Sequence, residues 1–314
     1  MHQVTTSRNF ANKVWNASRF IQMNLPEENI DLSKKPENLT DADKWILSKV
    51  NTLAKDVTEN LDKFELGIAA DKIYNFIWEE FCDWYIELVK PRLFDKENPT
   101  GKTAQYVLTY VLSNTMKLLH PFMPFITEEI WQHLPHEGES IMISEWPEYD
   151  EKLNFPKDVE SMELIMQSIS AIRNRRAEMN VPPSKKAKVI IVTDKTDVFE
   201  QGTAFFEKLA SASEAVVQTD KSGISDNAVN VVVPSAEVFL PLDELVDKTK
   251  ELERLNAEKK KLEGEIKRVE GKLNNAGFVS KAPQKVVDEE KAKGEKYKEM
   301  LEKVLENIKS MENM

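Results

Sequence analysis

Residues 65–90, ELGIAADKIYNFIWEEFCDWYIELVK, decide the fold of this 314-residue chain. Ile73, Tyr74, Ile77, Trp78, Phe81, Trp84, Tyr85 and Leu88 recur at helical spacing and leave almost no side of the helix polar. A helix apolar nearly all round belongs at the centre of a bundle. Pro91 reads as its end. Working outward, Phe10, Val14, Ala17, Ile21 and Leu25 form one apolar stripe, with Arg8, Asn12, Asn16 and Arg19 together on the opposite face. Thr40, with Asp43 three residues on, reads as a capping-box variant opening a helix striped by Ile46, Val50, Leu53 and Val57. Thr100 reads as the cap of a fourth helix to about Leu119, and Pro121 and Pro124 lead into a fifth through Trp131.

Beyond Glu145 the chain turns loop-like, and a helix is expected over roughly 159–179. The period then changes. Lys188–Val192 and Asn230–Val233 are β-branched runs bounded by turn residues, hence strands, with a short helix near 197–210 between them. In the last segment Leu245, Leu252, Leu255, Leu262, Ile266, Val269 and Leu273 fit one heptad frame, interrupted at Asn274–Pro283 and resumed by Tyr297, Leu301, Val304, Ile308 and Met311. Two heptad segments around a loop with turn chemistry read as an antiparallel helical hairpin, with pairing to a second chain as the alternative. The expected chain is mainly α: a helical bundle over 1–150, a small α/β connector module over 151–243 and a coiled-coil hairpin over 244–314.

One cysteine excludes a disulfide framework and any Cys-based zinc site, and suits a reducing cytoplasmic setting. No apolar run is long enough to span a bilayer, so no membrane partner is expected. The net charge of −11 argues against a nucleic-acid partner, DNA included, but it is unevenly placed. Residues 244–314 carry 17 basic and 16 acidic side chains, while the rest holds 26 basic and 38 acidic. Any polyanion would therefore have to meet local basic patches.

Catalytic constellations are missing. No phosphate-cradling G-x-x-x-x-G-K-[ST], no G-x-G-x-x-G and no G-x-S-x-G occurs. Pro135 separates His133 from His136 and denies them a common helix face, so a surface loop is expected and no metal site. His120 reads as a helix C-terminal residue and Cys82 as an inert core thiol. The binding chemistry is richer. Trp45, off its helix's apolar stripe and flanked by Lys44 and Lys49, offers either a base-stacking platform beside phosphate-binding ammonium groups or a packing contact with a neighbouring helix. The Arg8/Asn12/Asn16/Arg19 face suits base edges and phosphates, or is simply solvated. Arg173, Arg175 and Arg176 form a cluster that either meets RNA or pairs with neighbours. Arg254, Lys260, Lys267, Arg268 and Lys272, with Phe278, Lys281 and Lys285 around the loop, make a third basic region, where heptad charges can equally serve the hairpin itself.

The strings RNFANKVWNASRFIQMNL (8–25), WEEFCDWYIELVKPRL (78–93), LLHPFMPFITEEIWQHL (118–134), IRNRRAEMNVPPSKK (172–186) and FVSKAPQKVV (278–287) together resemble, in order, the C-terminal part of the valyl-tRNA synthetase family. The bundle strings are partly shared with the isoleucyl and leucyl families; the terminal loop points to the valyl one. The resemblance implies a class I synthetase-type anticodon-binding bundle, a connector and an arm reaching the tRNA elbow, with valine tRNA as partner and a monomer expected. It assigns Arg8, Asn12, Asn16, Arg19, Lys44, Trp45 and Lys49 to the anticodon as candidates, and the connector and hairpin cations to the tRNA body. The family's H-I-G-H and K-M-S-K-S motifs, which bind ATP, do not occur in this sequence, nor does its editing domain. The implied fragment binds tRNA, holds no cofactor of its own, and leaves ATP and Mg to a catalytic domain absent from these residues. A coiled-coil scaffold whose bundle docks another protein is the competing expectation.

Overall fold

The computed structural model describes residues 2–26, 30–32, 36, 38–241, 245, 248–274 and 284–312. Two compact units result, Met1–Ser168 and Ile169–Met314. The first is helical: α1 (His2–Met23), α2 (Asp41–Asp62), α3 (Leu66–Asn75), a π-helical segment (Phe76–Tyr85), α4 (Ile86–Phe94), α5 (Gly101–Leu119), α6 (Pro124–Trp131) and the start of α7 (Pro156–Glu178). The run from α3 to α4 is the expected central helix, with Ile73, Phe76, Ile77, Phe81 and Tyr85 nearly or fully buried.

Two details differ from expectation. The middle of the central helix is wound wider, the Ile86 N–H donating to the carbonyl of Phe81, five residues back. Ideal α winding would set Phe76 and Phe81 well apart around the axis; the wider turn brings them onto one face. Phe76 and Phe81 stack at 6.3 Å, and Phe81 and Tyr85 at 6.3 Å. Nor does Pro91 end the helix, which runs on to Phe94. Pro91 sits in the last turns, where the missing N–H costs a single bond, and its own carbonyl still accepts from Asp95.

The capping box at Thr40 forms, and its acid has a second task. Asp43 is fully buried. It accepts from the Thr40 N–H at 2.9 Å, the Tyr85 hydroxyl at 2.6 Å, and both terminal nitrogens of Arg92 at 2.8 and 2.9 Å. Burial, with the Asp43 charge beside it, holds the Tyr85 phenol well above its usual pKa. A bidentate, fully hydrogen-bonded pair tolerates burial that either ion alone would not. Thr100 does not cap α5 with its side chain. Its hydroxyl accepts from Arg92 Nε at 2.9 Å and donates to Asn98 at 2.8 Å, so it extends the same network.

The loop-like stretch after Glu145 is strapped across α2. Asn51 exchanges hydrogen bonds with the Asp150 backbone at 2.8 and 2.9 Å, and Ser48 does so with Leu153 and Phe155 at 3.0 and 2.8 Å. Trp146 Nε1 donates to Thr58 at 2.8 Å.

The second unit holds a four-stranded mixed sheet of order β2-β1-β4-β3: β1 (Ala187–Val192), β2 (Ala212–Gln218), β3 (Ala228–Val233) and β4 (Ala236–Pro241). β1 and β2 are parallel, joined through α8 (Thr196–Gln201) and α9 (Thr203–Leu209); β4 pairs antiparallel with both β1 and β3. Sequence reading finds β1 and β3 and misses β2 and β4. Two further helices, α10 (Lys248–Leu273) and α11 (Gln284–Glu312), pack along each other. Leu255 and Leu262 cluster with Val304 and Ile308, flanked by Leu252, Tyr297 and Leu301. Lys272 pairs with Glu290 at 3.3 Å. Residues late in α10 thus meet residues early in α11, and the two helices run in opposite directions. Among the described residues no helix is long and apolar enough to cross a membrane.

Candidate nucleic-acid interface

A groove of about 610 Å³ that bears polar chemistry lies between α1 and the π-wound part of the central helix. α1 contributes Asn9, Asn12, Lys13 and Asn16, one turn after another along one side. Trp78 forms an aromatic wall, stacked on Tyr74 at 5.6 Å, which in turn packs against Phe10 at 4.8 Å. The Lys13 ammonium sits 3.9 Å from the Trp78 ring centre and pairs with Asp83 at 2.6 Å. Lys90 and Glu87, also lining the groove, form a second ion pair. Amides, an aromatic wall and cations in one concave strip can grip an unstacked base and its phosphate. Cys82 lines this groove instead of the core, and burial pushes its thiol up to about 12.

Of the expected α1 candidates, Arg8, Asn12, Asn16 and Arg19 are all exposed, and Asn12 and Asn16 border the groove. Among the described residues Arg8 reaches its neighbour Asn9, at 3.5 Å. Asn9, Lys13, Trp78 and Lys90 were not among the candidates. The signal for the first two was available, since Asn9 extends the Asn12/Asn16 row by one turn and Lys13 lies between those two asparagines on the same side.

The α2 candidates are placed otherwise. Trp45 is fully buried and offers no open face to a base, so the packing alternative is the one the fold adopts. Lys44 donates to Asp158 of α7 at 2.8 Å. Lys49 donates to Glu163 at 2.6 Å and lies 3.5 Å from Glu80. The hydrogen bond to Asp158 raises the pKa of Lys44, burial opposing it; for Lys49 burial works downward but Glu163 and Glu80 prevail and raise it.

The arginine cluster of the second unit divides. Arg173 Nε donates to the Leu209 carbonyl at 2.5 Å, and Arg175 pairs with Glu178 at 3.0 Å. Arg176 is buried, donating to the Lys185 carbonyl, and burial lowers its pKa. Arg176 thus holds the 181–186 turn and cannot meet RNA directly. In the paired helices Lys260 and Lys267 are exposed, Arg268 pairs with Glu265 at 2.7 Å and Lys272 with Glu290. Phe278 and Lys281 lie outside the described residues, as do the side chains of Arg254 and Lys285.

Three histidines are tied locally: His120 Nδ1 to Thr127 at 2.8 Å, His133 Nδ1 to the Glu129 carbonyl at 2.8 Å, and His136 against the Trp131 ring at 3.9 Å. Among the described residues no cluster could hold a metal ion.

Residues 43–191 match the anticodon-binding domain of tRNA ligases, and residues 247–312 match the valyl-tRNA synthetase tRNA-binding arm. Over 99% of its length the chain is 56% identical to the valine–tRNA ligase of Clostridium perfringens. Over 98% it is 53% identical to that of Clostridium acetobutylicum, and over 99% it is 44% identical to that of Bacillus cereus. The chain belongs with the C-terminal region of the valyl-tRNA synthetase family. It spans about a third of the length of these relatives (36% of the Clostridium perfringens enzyme). Within this synthetase region, the matched anticodon-binding domain takes in α2 through β1, and the matched arm takes in α10 and α11. The α1 side of the groove lies before the matched domain yet within the stretch shared with the two clostridial ligases.

Proposed function

We propose that this chain is the tRNA-binding C-terminal region of a valine–tRNA ligase. The unit with the α1 groove receives unstacked anticodon bases, the sheet module connects, and α10 and α11 form an antiparallel coiled-coil arm against the tRNA body; the three parts correspond to 1–150, 151–243 and 244–314. The whole ligase attaches valine to its tRNA using ATP and Mg, in the cytoplasm, and this portion binds without catalysing. The observation that supports the reading best is similarity that continues, at 56% identity, across both the bundle and the paired helices. Anticodon bases are single-stranded and can be drawn onto amides and rings, whereas a folded RNA body is met through shape and backbone.

Fluorescence anisotropy of labelled valine tRNA with the purified chain tests the proposal. Salt-sensitive binding, weaker for a tRNA with an exchanged anticodon, is expected, together with no valine-dependent ATP–pyrophosphate exchange. Equal binding of any RNA would remove the anticodon assignment.

A further inference from the structure

The turn that closes α2 carries a residue poorly suited to it. After Asp62 the chain makes a Schellman ending: the Phe64 N–H donates to the Leu61 carbonyl at 2.9 Å, and the Glu65 N–H to that of Asn60 at 2.8 Å. In this pattern the first of the two donors takes the left-handed conformation and is usually glycine. Here it is Phe64, at a φ of 59°. A bulky side chain is strained in that region. Phe64 is also 89% exposed, so packing within the chain offsets little of the strain. A strained and uncovered aromatic side chain points to a task outside the fold.

Five more exposed apolar side chains share its end of the bundle. α1 runs parallel to the central helix, Phe10 packing on Tyr74 and Phe20 on Phe94, so α1 begins beside the start of α3, where Leu66 and Ile68 are exposed. α5 runs the opposite way, Gln105 near its start donating to the Asn24 carbonyl just past the end of α1. The far end of α5 and the following α6 therefore return to the start of α1, and Phe125 of α6 is 90% exposed. The strap runs against α2, with Asp150 at Asn51 and Trp146 at Thr58. Met142 and Ile143 thus fall beyond Thr58, towards the Phe64 turn, and both are exposed. Ser140, just ahead of them, donates to Glu128 of α6 at 2.7 Å and joins this stretch to α6. The bundle ends in an apolar plate drawn from three separate stretches of sequence, the kind of surface that marks contact with another protein surface.

We propose that this plate docks the N-terminal two thirds of a valine–tRNA ligase, with Phe64 as the knob that enters an apolar recess of that partner. The proposal rests on the reading of the chain as the C-terminal region of such a ligase, and adds to it the surface used and the residue that anchors it. Two observations commit the occupant. The chain matches 36% of the Clostridium perfringens enzyme, as a C-terminal portion, so the larger part of that enzyme joins ahead of α1. α1 begins at the plate, so that part meets the bundle at the end left apolar. The six side chains carry no charge, which sets RNA phosphate aside as the occupant. A large aromatic residue seated in a partner's pocket is the usual centre of such a contact.

A chimera tests it: the Clostridium perfringens ligase with its matching C-terminal region replaced by this chain, compared with this chain alone by hydroxyl-radical footprinting. In the chain alone Phe64, Phe125 and Met142 should be oxidised readily, as should Met23, exposed at the opposite end of α1. In the chimera the first three should lose their oxidation and Met23 should keep it. Phe64→Gly adds a test of sign. Glycine relieves the left-handed strain, so the variant should raise the melting temperature of the chain alone, and yet restore oxidation of Phe125 and Met142 in the chimera. Equal oxidation of the plate in chain and chimera, while the chimera charges valine tRNA, would overturn the proposal and leave the tRNA-binding reading standing. Protection that grows in the chain alone as its concentration rises would give the plate to a second copy and overturn it too. A protected plate in a chimera that activates valine but charges no tRNA would support the docking and remove the tRNA-binding reading. A chimera that does neither would overturn both, since a region 56% identical to the one it replaces should be accepted there.

Discussion

α1 and α2 are each 22 residues long, and each carries an apolar stripe with cations and amides off it. On α1 the off-stripe residues Arg8, Asn12, Asn16 and Arg19 stay exposed. On α2 the equivalent positions are closed over: Trp45 is fully buried, and Lys44 and Lys49 are held by acids from α7 and the central helix. Periodicity reports which residues share a face. It does not report whether a later element covers that face. For α2 two elements do so, the strap after Glu145 and α7, both about a hundred residues further along the chain. The two helices therefore have different tasks, α2 holding the bundle together and α1 presenting its polar side to a groove.

The largest expected effect tests the buried side of this contrast. Trp45→Ala should destabilise the first unit by about 3–5 kcal/mol, the usual cost of emptying a large buried aromatic site. The loss should appear as a lower urea midpoint, with tRNA affinity per folded molecule unchanged. A variant that kept its midpoint and lost tRNA would return Trp45 to the interface and erase the distinction between the helices.

A smaller effect tests the open side. Asn12→Ala/Asn16→Ala removes two groove amides that the fold leaves exposed, so stability should move by less than about 0.5 kcal/mol. Affinity for an anticodon stem-loop should fall by about 1–3 kcal/mol, the range for leaving polar groups of the complex without a partner. If full tRNA and stem-loop bind the double variant as they bind wild type, the groove is not where the anticodon sits.

How much of this was legible follows the same line. The capping box at Thr40 and Asp43 could be read because both partners lie within one helical turn. That Asp43 also anchors Arg92 and Tyr85 could not, since those partners stand some forty to fifty residues away. β1 was clear from KVIIV, buried along most of its length. β2, with the sequence ASEAVVQ, places two polar residues early and pairs along one side only with β1, so it lacks the apolar run that marks a buried strand. The π winding left no signal, because residues 76–85 are apolar on so many sides that a wider turn breaks no pattern. Asn12 and Asn16 were found as a row, while Trp78 and Lys90 across the groove were not, their place being set by how two helices pack.

The smallest expected effect concerns Lys44, where the contrast between the helices is most exposed to failure. Its ammonium is 2.8 Å from Asp158, and the side chains are 30% and 20% exposed. An ion pair this accessible to water contributes at most about 1 kcal/mol, so Lys44→Met should cost no more than that. The sign of its pH dependence is fixed by the raised pKa, which the hydrogen bond to Asp158 causes. A lysine whose folded pKa exceeds its unfolded value of about 10.4 contributes stability that is fully present below that value and is lost as pH rises through the folded one. Wild type and Lys44→Met should therefore differ by a constant amount through neutral pH and converge only in strongly alkaline solution. Because Asp158 already holds the charge, the variant should also leave the salt slope of tRNA binding unchanged. A slope reduced by about one would mean that Lys44 leaves Asp158 for a phosphate when RNA arrives. In that case α2 would share the interface with α1, and the face closed in the free chain would be one that opens on binding.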